Sequence, residues 1–365
     1  MPQPHFISSI FRKEVLDLSA YKVADAGRLI KLDAMENPYR WPEPVIKEWL
    51  DVIKEAEINR YPDPEARRLS ATLKKIDSIS GNLEMLLGNG SDEIIQLLLM
   101  ALPTHAKVLS PSPGFVMYRQ LSRCLGLDYI DIPLQSGDFD LDLPAMLEAI
   151  DKHQPSLIFL AYPNNPTGNL FSETSIRKII EASPGLVVVD EAYAPFTDQS
   201  FIDVLGEYSN LLVMRTLSKL GLAGLRLGYI VGESSIIGEL NKIRLPYNIN
   251  TLTQITAEFA LNNSDLFKQQ TVQIRSERSR VLHEIRSIEG ITTYPSEANF
   301  ILFRTPPDQA ASLFEMLKTK GILIKNLSPQ GGLLLDCLRV TIGTPEENDA
   351  FLQALYSSFE QLRIS

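Results

Sequence analysis

Leu211-Leu-Val-Met-Arg-Thr-Leu-Ser-Lys219-Leu-Gly-Leu-Ala-Gly-Leu-Arg226-Leu-Gly228 is the stretch on which the reading of this chain turns. Residues 211–214 form an apolar run long enough for a buried strand. The run then breaks into Ser218 and Lys219, and glycines follow at 221, 224 and 228 with Arg226 among them. A lysine at the mouth of a buried strand is costly unless it is paired, exposed or neutralised. One chemical solution is an imine, in which the amine carries a carbonyl compound as a Schiff base. Ser218 just before it and the Arg226 guanidinium seven positions after it suit an anion held beside that imine. The same stretch also reads as a surface loop with a solvated lysine, and the rest of the chain separates the two.

The 365 residues suggest two domains, or one large domain with a smaller companion. An apolar fraction of 44% is ordinary for a globular protein, so a full core is available. The formal charge of -10 argues against general nucleic-acid binding and leaves no basic face for a membrane. Only Cys124 and Cys337 occur, so there is no disulfide framework and a reducing compartment fits. The first residues lack the pattern of a secretory signal, and no apolar run approaches the roughly 20 residues that span a bilayer. The expected location is cytoplasmic.

Outward from the central stretch the pattern is regular. Strands are expected at 83–88, 106–110, 128–134, 156–161, 186–190, 211–217 and 226–231. Helices are expected between them at 91–102, 116–125, 143–152, 172–182 and 198–208. Strands alternating with helices indicate an α/β fold with a largely parallel sheet covered on both faces. In such sheets ligands sit at the carboxyl ends of the strands. Before this block, helices are expected at 45–59 and 65–80, on either side of a stiff proline-bounded piece at 59–64. After about 233 the alternation stops. A long helical region at 251–289 leads to a strand (299–304), a helix (308–320), two strands (322–327 and 337–342) and a last helix (345–363), which read as a small α/β domain beside the large one.

The strand ends carry the chemistry. After 83–87 come Gly88, Gly90, Ser91 and Asp92 at the start of a helix, where free N–H groups and the helix dipole favour an anion. A dinucleotide fingerprint would need a third glycine at Glu93, so a Rossmann nucleotide site is not expected. Ser91 or Asp92 as a plain helix cap is compatible with phosphate binding. Phe115 opens the next helix, where an aromatic either stacks on a flat ring or joins the core. Asn164 and Asn165 lie between prolines and offer fixed amides, although such turns are also routine. Four apolar residues, 186–189, put Asp190 at the end of a buried strand, and a carboxylate there needs a cationic partner. A protonated pyridine nitrogen would serve, and Tyr193 can reach the same ligand.

Lysine for an imine, carboxylate for a pyridinium, amide and phenol for a ring oxygen, and an anion cradle together describe a pyridoxal 5'-phosphate site. Asn-Pro-Thr-Gly at 165–168, Asp-Glu-Ala-Tyr at 190–193 and Ser-Lys-x-x-Gly-Leu-Ala-Gly-Leu-Arg at 218–226 resemble the fold-type I aminotransferases. One branch, the histidinol-phosphate aminotransferases, is also resembled by Leu-Asp-Ala-Met-Glu-Asn-Pro-Tyr at 32–39, Asn-Arg-Tyr-Pro-Asp at 59–63, Gly-Asn-Gly-Ser-Asp-Glu at 88–93, Leu-Pro-Tyr-Asn at 245–248 and Leu-Arg-Val-Thr-Ile-Gly-Thr at 338–344. The resemblance covers the chain from about residue 15 to its end. It is highly specific for the cofactor class and less so for the substrate.

The resemblance implies a role for each matching residue. Lys219 would carry the cofactor as a Schiff base and later shuttle a proton. Asp190 would hold the ring nitrogen protonated, Asn165 and Tyr193 would contact the ring oxygen, and Phe115 would stack on the ring. Gly90, Ser91, Asp92, Ser218 and Arg226 would bind the cofactor phosphate, with Tyr61 reaching it from the other subunit of a homodimer. Arg339 would meet the substrate's anionic group, with Tyr21, Asn37, Tyr247 and Lys325 around it. The division implied is an N-terminal segment (1–40) joining the small domain and the dimer contact, a large cofactor-binding domain (41–250) and a small domain (251–365). Two positions depart from the family's pattern. Met35 stands where asparagine is frequent, which is expected to affect only the loop around Glu36 and Asn37, and Lys325 stands where an arginine would grip the substrate phosphate, which keeps the charge and gives up the bidentate fork.

The reaction implied is the interconversion of histidinol phosphate and 2-oxoglutarate with imidazole acetol phosphate and glutamate. An aromatic amino-acid aminotransferase or a phosphothreonine decarboxylase would share every cofactor residue. A regulator built on such a domain is expected to carry an added DNA-binding segment, for which the short N-terminus leaves no room. His5, His105, His153 and His283 lie far apart without ligand spacing, so no metal site is expected. Cys124 and Cys337 read as packing residues, and the charged run 268–286 as the solvated face of a long helix.

Overall fold

The computed structural model describes residues 4–20 and 24–364. After a first two-residue strand, β1 (Ile30–Lys31), the alternating block folds into β2 (Leu83–Gly88), β3 (Lys107–Ser112), β4 (Asp128–Pro133), β5 (Leu157–Ala161), β6 (Leu186–Asp190), β7 (Leu211–Thr216) and β8 (Gly228–Glu233). These seven form one sheet in the order β2-β8-β7-β6-β5-β3-β4. Only β8 runs against its neighbours, pairing antiparallel with β2 and β7, while β3–β7 pair in parallel. All seven expected strands are present within two residues of their expected starts. Runs such as Leu157–Ala161, buried at every position, are what a sheet covered on both faces requires.

The small unit is a sheet of β9 (Thr292–Thr293), β10 (Phe300–Arg304), β12 (Lys325–Asn326) and β13 (Cys337–Thr341), in the order β12-β13-β10-β9. The remaining strand, β11 (Ile322–Leu323), pairs in parallel with β1 instead, which ties the N-terminal segment to the small unit. The single strand expected at 322–327 is therefore split at Ile324, and its halves serve two sheets.

Other boundaries moved as well. The helix expected at 45–59 is Glu43–Ile53, and the one at 65–80 is Arg67–Ile76. The long region divides at Asn263 (φ -103°, ψ 35°) into Thr251–Asn262 and Ser264–Arg286. Where a helix was expected at 198–208, only a 3-10 turn at Ile202–Glu207 forms. There Ser200 and the Phe201 N–H are drawn onto the Glu191 carboxylate, so local helix geometry yields to a long-range contact. The short helices Pro4–Ile10 and Ser234–Asn241 lacked a clear sequence signal.

Three apolar clusters form among the described residues, and the first of them crosses between the two units. It joins Leu109, Ile158, Val187 and Val213 of the large sheet to Leu69, Leu73, Ala257 and Ala260 of flanking helices. A second gathers Phe300, Phe303, Leu338 and Val340 with Ile274, Val281 and Phe351, and it also contains Tyr193 and Leu32. The two units therefore meet at Tyr193 and the segment after β1. Among the described residues, no helix is long and apolar enough to cross a membrane.

Candidate active site

A cavity opens at the carboxyl ends of β5, β6 and β7, lined by Met35, Ser91, Asp92, Phe115, Asn165, Asp190, Tyr193, Thr216, Ser218, Lys219 and Arg226 among others. Nine of the residues singled out from the sequence therefore converge from six separate stretches of chain. Parallel strands put their carboxyl ends on one edge, so every loop leaving that edge faces the same space.

Lys219 follows β7 in a short distorted turn, Ser218–Leu222, that Gly221 breaks with φ 118°. A Cβ at Gly221 would also come within 3.0 Å of Asn37 Nδ2, so glycine is required there on two counts. Burial pulls the Lys219 ammonium down to about 8, helped by the Arg339 guanidinium. Its Nζ lies 3.4 Å from the Ala34 carbonyl oxygen and 5.8 Å from the centre of the Tyr193 ring. An amine with that pKa is divided about equally between neutral and charged forms near pH 8, which suits a nucleophile or a proton carrier.

Asp190 ends β6 and is 4% exposed. Its carboxylate accepts from the Tyr118 hydroxyl at 2.5 Å and from the Ala192 N–H at 3.1 Å. Both partners are neutral, so burial holds its carboxyl up at about 6. The site thus contains a buried acid to which a ring nitrogen could bring the missing positive charge.

The anion cradle is built from Gly90 onward. Gly90 (φ 84°) precedes the helix Ser91–Met100 and supplies no side-chain cap, which leaves the first-turn N–H groups to a ligand. A Cβ there would fall 2.8 Å from Arg226 Nη2, so glycine lets the guanidinium close over the helix start. Arg226, itself at φ 51°, meets Asp92 at 3.3 Å, and the Ser218 hydroxyl accepts from Thr216 at 2.9 Å. Phe115 lines the cavity with its ring edge-on to Tyr118, 5.4 Å between centres.

Beyond the cavity the small unit supplies a relay of bonds. Arg339 Nη1 donates to Asn165 Oδ1 at 2.6 Å, and Asn165 Nδ2 donates to the Tyr193 hydroxyl at 3.1 Å. Arg339 Nη2 also donates to the Asp33 carbonyl at 3.1 Å. Lys325 is the cross-strand partner of Arg339, so the two cations share a face of the small sheet. Asn37 bridges the Leu220 carbonyl at 3.1 Å and Gln270 at 3.0 Å, holding the lysine turn against the helix Ser264–Arg286.

Two residues expected at the site, Tyr61 and Tyr247, lie elsewhere within the single chain. Tyr61 is 80% exposed and stacks on Tyr247 with ring centres 4.5 Å apart. Neither tyrosine lines the cavity of its own chain. Tyr21 lies outside the described residues.

Sequence reasoning missed Tyr118, which holds Asp190. Its spacing of three from Phe115 on one helix placed both rings on the sheet-facing side and was the available signal. It also missed the partly buried Arg215, whose guanidinium meets Glu191 and Asp77, each at 2.7 Å, across β6, β7 and the end of the helix Arg67–Ile76. No local pattern marks that network.

Together, the mostly parallel seven-stranded sheet and the lysine, buried carboxylate and anion cradle at its strand ends define a fold-type I pyridoxal-phosphate-dependent transferase. The chain belongs to the class I and II aminotransferases, whose family model matches residues 28–355. It is 54% identical over 350 residues to histidinol-phosphate aminotransferase 2 of Nitrosococcus oceani, covering 96% of this chain and 97% of that one. With histidinol-phosphate aminotransferase 2 of Cupriavidus pinatubonensis it shares 48% over 363 residues, 98% of each chain. The crystal structure of histidinol-phosphate aminotransferase from Sinorhizobium meliloti in complex with pyridoxal 5'-phosphate has the same fold. Its TM-score is 0.86 at 24% identity, covering 97% of this chain and 98% of that one.

Proposed function

We propose that this chain is a histidinol-phosphate aminotransferase, exchanging the amino group of histidinol phosphate with 2-oxoglutarate to give imidazole acetol phosphate and glutamate in histidine biosynthesis. The observation that carries the substrate is full-length identity of 54% with a relative of that name. The pairing of Arg339 with Lys325 on one face of the small sheet supports an anionic substrate group.

Pyridoxal 5'-phosphate, when bound, supplies a ring that takes up the charge left on the substrate carbon after its proton is removed. Lys219 would hold the cofactor through its amine, and the same amine, when free, would carry the proton. With its ammonium at about 8, that amine accepts a proton near neutral pH at little cost. Asp190 stays ionised above about 6 and keeps the ring nitrogen protonated. Asn165 and Tyr193 would hold the ring oxygen, with Phe115 against the ring, and Gly90, Ser91, Asp92, Ser218 and Arg226 would hold the phosphate. Arg339, with Lys325, Asn37, Tyr21 and Tyr247, orients the substrate so that its reacting carbon faces Lys219.

The proposal includes a homodimer in which Tyr61 reaches the phosphate site of the other subunit. Ile58 at 77%, Tyr61 at 80% and Leu245 at 69% exposure support it, as does the helix Glu43–Ile53, which carries apolar residues and buries none. It also includes a cytoplasmic enzyme divided at about residues 40 and 250. The two free cysteines support the compartment, and the separate cluster around Phe300, Leu338 and Phe351 supports a small unit.

The test is an absorbance titration of the purified protein. Low concentrations of histidinol phosphate should convert the bound cofactor to its amino form, and 2-oxoglutarate should reverse this with release of glutamate. Preference for phenylalanine would overturn the substrate and keep the chemistry. Carbon dioxide released from phosphothreonine would indicate a decarboxylase instead.

A further inference from the structure

Met35 occupies a position that the roles above do not explain. It is a non-glycine residue at φ 56°, in the left-handed region, and its side chain lines the cavity beside Lys219 and Tyr193. Strained backbone persists where its surroundings over-determine it. Here the Met35 N–H donates to Thr341 Oγ1 at 2.9 Å and its carbonyl accepts from Asn299 Nδ2 at 3.0 Å. The neighbouring carbonyls are used as well, Asp33 by Arg339 and Ala34 by Lys219. The kink therefore aims one side chain into the cavity, and its Sδ accepts the Tyr193 hydroxyl at 3.2 Å.

We propose that Met35 is a positioning residue that holds the Tyr193 hydroxyl in place through a bond weak enough to be surrendered to the cofactor's ring oxygen. Tyr193 has one proton to give, and its oxygen accepts a bond from Asn165 Nδ2. A thioether is a weak acceptor on a flexible, polarizable chain, so it orients the phenol without competing strongly for its proton. An amide oxygen of similar reach would compete.

The consequence is electrostatic. The ring oxygen and the nitrogen of the cofactor's bond to Lys219 share a proton. A phenol donating to that oxygen weakens the oxygen's hold and lowers the pH at which the nitrogen gives the proton up. Met35→Gln, which retains the phenol proton, should therefore raise the pH midpoint of the bound cofactor's visible absorbance by about half a unit or more. Met35→Leu, with no acceptor, should leave the midpoint at or below that of the wild type. In a Tyr193→Phe background, which has no hydroxyl proton to compete for, Met35→Gln should add no further shift.

The inference requires cofactor bound through Lys219 and no particular substrate. A visible band that stays in place in Met35→Gln overturns it while leaving the cofactor reading intact. So does a rise in Met35→Leu, or an equal shift in both Tyr193 backgrounds. No band in any form, the wild type included, would remove both. Thermal melts of the cofactor-free proteins separate these results from unfolding, because the midpoint is read only on folded holoenzyme.

Discussion

At the scale of single residues, Lys219 and Asp190 do opposite things with the same burial. Desolvation lowers the lysine to about 8 and raises the aspartate to about 6, which brings both close to neutral pH. For Asp190 the sign of the stability effect follows directly. Its folded value lies above the ordinary 3.8, so the folded chain binds the proton more tightly between about pH 4 and pH 6. Stability therefore falls as pH rises through that window, and the cost persists above it. Asp190→Asn should stabilise the cofactor-free protein at pH 8 by on the order of 2 kcal/mol, with the gain fading toward pH 4. The Tyr118 hydroxyl can reverse and accept from the new amide, so the bond is kept. The same variant should lose at least about 100-fold in kcat, because an amide cannot hold the ring nitrogen charged. Urea melts across pH and a steady-state assay check both halves. Lys219→Ala should abolish turnover with the fold intact by circular dichroism, and retained transamination would remove its role.

At the scale of elements, the site depends on strand ends staying in register. Arg215 on β7 meets Glu191 just after β6 and Asp77 after the helix Arg67–Ile76, and Asp77 also accepts the Tyr229 hydroxyl of β8 at 2.7 Å. This clamp lies one residue from Asp190 and four from Lys219. Arg215→Met leaves the fully buried Glu191 side chain without its cation and should cost about 3–5 kcal/mol. Pairing it with Glu191→Gln should return a large part of that in urea melts. Gly90→Ala places a Cβ against Arg226 at a left-handed backbone position. It should speed cofactor loss about tenfold, roughly 1.4 kcal/mol, measured by apoenzyme formation on dilution.

At the scale of the whole molecule, the exposed Tyr61 and the helix Glu43–Ile53, which buries no residue, are surfaces that the proposed dimer would cover. Sedimentation should find a dimer. If Tyr61 serves the opposite site, mixing inactive Lys219→Ala chains with Tyr61→Ala chains should rebuild one intact site in each mixed dimer. Random exchange then restores about a quarter of wild-type activity, and recovery to no more than the Tyr61→Ala share would place Tyr61 in its own subunit's site.

Much of this molecule is local information. Apolar runs such as 157–161 and 186–189 specify buried strands wherever they occur, because a strand covered on both faces has no polar side to show. Asp190, Asn165, Lys219 and Arg226 sit at strand ends or in the turns after them, where the residue pattern is set within a few positions, so the residues that converge on one cavity were legible before any fold was known. The tertiary structure decided what depends on separation in sequence. It drew Ser200 onto Glu191 and so erased a helix, divided 322–327 between two sheets, and set Tyr118 against Asp190 at a separation of 72 residues. It also bent the chain at Met35 to place a sulfur on the Tyr193 hydroxyl. These contacts gain their energy from burial and from hydrogen bonds outside any local helix or strand pattern, and apart from Ser200 and Glu191, nine residues apart, no window of neighbouring residues contains both partners.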